Sequence, residues 1–85
     1  MKQLYKTAGE VAAALADEGQ GVTVRMIALR MRELGHSCSE LTARTGLYRA
    51  CFSEWDKAFE EGRPERYRIR GGGRGRKLVL EVVER

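Results

Sequence analysis

An α+β fold is predicted for this chain, four short helices followed by a C-terminal β-hairpin, and three observations predict it. First, the apolar residues recur with helical periodicity from about 7 to 61, broken at Gly19-Gln20-Gly21, Gly35 and Thr45-Gly46-Leu47. Second, the period changes to alternation beyond Gly62 and Pro64. Tyr67 and Ile69 then share one side of 66–70, and Leu78, Leu80 and Val82 share one side of 77–83. Third, Gly71-Gly72-Gly73-Arg74-Gly75-Arg76 joins these strands as a flexible basic tip, so the hairpin is expected to span about 66–83. Its 85 residues allow one domain, 1–85, with a small core.

Thr7-Ala8-Gly9-Glu10 fits a capping box and predicts a first helix over about 7–18, burying Val11, Ala14 and Leu15. Thr23 is placed to cap a second helix over 24–34, which Gly35 ends. Val24, Ile27, Ala28, Met31 and Leu34 share one face of it, while Met26 and Leu29 lie opposite among Arg25, Arg30 and Arg32. A helix apolar on two sides is central in a fold or meets a second subunit, so a homodimer is expected. Ser37 with Glu40 forms another capping-box pattern, starting a third helix over 38–44. The turn Thr45-Gly46-Leu47 then leads to a fourth, 48–61. At about 100° per residue, Tyr48, Cys51, Phe52, Trp55, Ala58 and Phe59 share one side of it, which predicts a core face. Arg49, Ala50, Ser53, Glu54, Asp56, Lys57, Glu60 and Glu61 fall on the other, solvent side.

Charge is unevenly distributed. Residues 1–62 hold eight Lys/Arg against nine Asp/Glu, whereas 63–85 hold eight against three, so the formal excess of +4 resides in the last quarter. A local basic patch is the consequence, and nucleic acid is its natural partner. Met1-Lys2-Gln3-Leu4 leads into charged helix, so neither a signal peptide nor a membrane span is expected. Cys38 and Cys51 show no CxxC spacing, which points to reduced thiols in the cytoplasm. His36 with the two cysteines fits no zinc pattern, so no metal is expected. No nucleophile elbow, P-loop or HExxH is present, and the Gly-rich stretch opens no helix; neither an enzyme nor a cofactor is expected.

Ser39-Glu40-Leu41-Thr42-Ala43-Arg44-Thr45-Gly46-Leu47, followed by a helix and a basic hairpin, resembles the reading head of winged helix-turn-helix DNA-binding domains of the MarR-like and IclR-like regulators. A fainter similarity links Gly21-Val22-Thr23-Val24-Arg25 and Trp55 to plasmid replication-region DNA-binding domains. Both comparisons cover roughly 8–83. They imply that 48–61 is a recognition helix, with Tyr48, Arg49 and Ser53 in the major groove of duplex DNA. They also imply that the hairpin is a wing. Arg74 and Arg76 would then hold backbone or minor groove, and Arg44, Arg68, Arg70 and Lys77 would contact phosphates. Asp56 and Glu54 depart from the family pattern, which has an aliphatic residue and a basic or small polar residue there.

The function expected is sequence-specific DNA binding by a small transcriptional repressor or accessory factor of phage or plasmid type. One alternative is a protein-interaction module, such as a phage-borne inhibitor of a host complex, using the acidic face of 54–61. Another is RNA binding through the Arg/Gly loop at Arg70–Arg76, weakened by the lack of interleaved aromatics.

Overall fold

The structure, a computed structural model, describes residues 2–73 and 75–83. The element order is α1 (Lys2–Asp17), β1 (Val22–Thr23), α2 (Val24–Glu33), α3 (Glu40–Glu61), β2 (Tyr67–Arg70) and β3 (Val79–Val82). Four helices followed by a hairpin wing is therefore corrected to three helices and a three-stranded antiparallel sheet among the described residues. The α+β class holds.

The third and fourth expected helices are one continuous helix, because Gly46 serves packing and not turning. A Cβ added at Gly46 would lie 2.5 Å from the Ala8 Cβ and 2.7 Å from the Ala8 carbonyl carbon of α1. A glycine inside a helix costs about 1 kcal/mol relative to alanine. Here that cost is offset by the close approach of α1 to the small-residue side of α3, formed by Ala43, Gly46 and Ala50. Ser39 caps α3, its hydroxyl accepting from the Thr42 N–H at 3.1 Å, and Gly62 ends it with φ +66°. The cap expected at Ser37 thus lies two residues later, as a simple N-cap at Ser39. Helix α1 starts at Lys2, so Thr7 lies inside it and does not mark its start.

The side of α3 that faces the core also differs from expectation. Thr42, Ala43, Gly46, Leu47, Ala50, Cys51, Glu54 and Ala58 are buried, whereas Tyr48, Phe52, Trp55 and Phe59 are exposed. Continuity of the helix explains the change. Once α1 fits against Gly46, the bulky aromatic side must turn outward, away from the three-way contact.

Strand β1 was not foreseen. It is two residues long, and the sheet order β1-β3-β2 makes β3 central. Val22 pairs with Leu80 and Thr23 with Val79, while Tyr67, Arg68, Ile69 and Arg70 pair with Val82, Glu81, Leu80 and Val79. Thr23 also caps α2, accepting from the Met26 N–H at 3.2 Å. The core lies where α1, α2, α3 and the sheet meet, around the fully buried Val22, Ile27, Met31, Leu47, Cys51 and Leu80. Among the described residues no helix is long and apolar enough to cross a membrane.

Candidate nucleic-acid interface

An open cleft of about 550 Å³ lies between the start of α2, the first half of α3 and the hairpin tip. Each wall has a local cause. Pairing of Thr23 with Val79 sets the start of α2 beside the hairpin, which brings Arg25 of its first turn to the cleft. Arg44 and Tyr48 follow one turn apart on α3. Gly71 leaves β2 at φ +82°, and a Cβ there would run into the Lys77 carbonyl oxygen; only glycine lets the tip fold back. That fold is closed by the Arg76 N–H donating to the Gly73 carbonyl at 3.0 Å, and it sets Arg76 and Lys77 on the opposite wall.

Arg25, Arg44, Arg76 and Lys77 therefore bring four positive charges to one cleft, against a single acidic group, Glu40. Arg44 donates to Glu40 at 3.0 Å, with both side chains more than half exposed. Such a pair is held by well under 1 kcal/mol and yields readily to a phosphate.

Of the residues expected to contact DNA, the structure gathers Arg44, Tyr48, Arg76 and Lys77. Arg74 lies outside the described residues. Arg49 and Ser53 line a different groove, on the α1 side of α3, with Lys6, Glu10 and Lys57. Arg68 and Arg70 sit on the outer face of the sheet and are held by Glu81: Arg68 Nε donates to it at 2.6 Å, and Arg70 Nε contacts both carboxylate oxygens at 3.3 Å. The hydrogen bond from Arg68, reinforced by Arg70, holds the Glu81 carboxyl below the usual carboxylate range.

Glu54, expected on the solvent side, is buried. It accepts two hydrogen bonds from the Arg63 guanidinium, at 2.7 and 3.1 Å, and one from the Arg66 N–H at 2.8 Å. These bonds, led by Arg63, outweigh burial and keep its pKa low. Glu54 thus ties the end of α3 to the segment entering β2. Nearby, Trp55 donates to the Tyr67 carbonyl at 2.9 Å, and the Tyr67 hydroxyl donates to Asp17 at 2.7 Å.

Arg25 is the cleft residue absent from the contacts expected from the sequence. Its signal was positional: it stands two residues after the cap that ends β1. Cys38 and Cys51 are buried free thiols, and the described residues contain no cluster suited to a metal ion. No protein-family model, curated protein or solved structure matches this chain.

Proposed function

We propose that this protein binds duplex DNA in the basic cleft, acting in the cytoplasm as a small repressor or accessory DNA-binding factor. The observation that carries the proposal is the convergence of Arg25, Arg44, Arg76 and Lys77 from three separate segments on one open cleft. A sugar-phosphate strand laid between α3 and the hairpin tip meets cations on both sides. Each phosphate neutralised releases condensed counterions, which gives sequence-independent affinity. Arg44, on a rigid helix at the mouth of the cleft, is the side chain placed to reach base edges, and Tyr48 lines the wall beside it.

Fluorescence anisotropy of a mixed-sequence duplex at several salt concentrations tests this. Binding at low salt is expected, and Arg76→Ala/Lys77→Ala should flatten the slope of log K against log salt by about two. Failure to bind duplex even at low salt rejects the proposal. Stronger binding to single-stranded RNA than to the duplex would move the assignment to the RNA alternative.

A further inference from the structure

We infer that the outer face of α3 is a homodimer interface, in which a second copy of this chain packs antiparallel about Phe52. This inference goes beyond DNA binding and does not depend on it. Leu41, Tyr48, Phe52, Trp55 and Phe59 follow one another at spacings of seven, four, three and four, which is a single stripe along a helix. All five are exposed, Phe59 to 88%. Tyr48 stacks on Phe52 with ring centroids 5.8 Å apart, and Phe52 meets Trp55 at 5.4 Å. The hydrogen bond from Trp55 to the Tyr67 carbonyl fixes the stripe further along. The aromatic face is therefore ordered before anything covers it.

An ordered side chain of this kind presents about 200 Å² when fully bare, so the stripe offers about 500 Å² per chain. That is toward the upper end of the largest apolar patch on a typical monomer, and patches of that size are often functional. Two such faces together bury at most about 1,000 Å², the size of a weak, reversible interface.

The occupant is identified by symmetry and charge. A twofold axis at Phe52 in an antiparallel pair sets Phe52 against its own copy. It also sets Tyr48 against the partner's Trp55, and Thr45 against the partner's Phe59. The same axis brings Arg49 opposite the partner's Asp56, since the two stand three before and four after Phe52 on one flank of the stripe. Among the described residues neither Arg49 nor Asp56 has an ion-pair partner within the chain. The pairing is reciprocal, as an isologous interface requires, and makes two interchain ion pairs. A parallel twofold pair carries the partner's Arg49 and Asp56 to the opposite flank, where neither faces its counterpart, so the ion pairs form only in the antiparallel arrangement. Arg44 lies on the opposite flank, so both basic clefts open on the same side of the pair.

Sedimentation equilibrium from about 1 to 100 μM, the range expected for a minimal interface, reads the result. The full chain should dimerise. Arg49→Asp or Asp56→Arg alone should weaken the dimer about tenfold or more, and Arg49→Asp/Asp56→Arg together should restore it. Phe52→Glu should leave a folded monomer by circular dichroism. A wild-type chain that stays monomeric across the range overturns the inference and leaves the face to a different protein. A dimer indifferent to the single charge reversals, or not restored by the double reversal, overturns it as well.

Discussion

Glu54 is the residue whose environment departs furthest from its place in the sequence. On a helical projection it stands with Asp56, Lys57, Glu60 and Glu61, yet it is buried and accepts three hydrogen bonds from Arg63 and Arg66. Glu54→Ala leaves the Arg66 N–H without its acceptor and should cost about 1–3 kcal/mol, measured by urea denaturation. The pH dependence has a definite sign. Because the folded-state pKa is lowered, the contribution of Glu54 is complete above the unfolded value of about 4.3 and is lost as pH falls through the folded value. Wild-type stability should fall below pH ~4, and Glu54→Gln should flatten that fall. Tyr67 has the opposite sense. Burial, helped by the hydrogen bond to Asp17, pushes its hydroxyl up to about 12. Its contribution is whole below the ordinary value of about 10 and is lost as pH climbs toward the folded one. Cys51, pushed up to about 11 by burial and then by Glu54, should resist thiol-specific labelling at neutral pH until the chain unfolds.

At the scale of elements, the contact of α1 with α3 decides the fold. Gly46→Ala places a methyl group against Ala8 and drives the two helices apart. The alanine is a better helix former by about 1 kcal/mol, yet the clash is with backbone and should prevail, giving a net loss of about 1–3 kcal/mol in a thermal melt. Had Gly46 been a turn, the same substitution would have acted through turn geometry, and Ala8 would not enter. An Ala8→Gly/Gly46→Ala double variant that recovers part of the loss confirms the packing role. This glycine also explains what could be read from the sequence. Thr45-Gly46-Leu47 has the composition of a break, and nothing local separates a glycine that turns a chain from one that admits a neighbour. The burial of α3 followed the same error, since aromatic residues at helical spacing look like a core face until the packing partner is known. Other local signals held, the capping boxes expected at Thr7 and Ser37 excepted. Thr23 capping α2, Gly35 and Gly62 ending helices, and the alternation of Tyr67, Ile69, Leu80 and Val82 all depend on neighbours within a few residues. Strand β1 was hidden because two residues show no alternation, and its pairing comes from β3, more than fifty residues away.

The distribution of charge over the whole molecule separates cations that hold the fold from those left to a partner. The hairpin looked like one basic patch, because sequence counts charges without showing what stands across the sheet from them. Arg68 and Arg70 are held by Glu81, Arg66 by Asp17, and Arg63 by Glu54 and Glu61. Arg25, Arg76 and Lys77 have no ion-pair partner among the described residues, and Arg44 has only an exposed one. Counting alone therefore expects Arg68→Ala/Arg70→Ala and Arg25→Ala/Arg76→Ala to weaken DNA binding equally, since each pair removes two positive charges. The geometry expects them to differ. Arg25→Ala/Arg76→Ala should lower the salt slope by about two. Arg68→Ala/Arg70→Ala should change it by well under one while leaving Glu81 uncompensated on the sheet. Anisotropy titrations of both variants in parallel decide the matter, and equal losses would show that the duplex contacts the outer face of the sheet as well as the cleft.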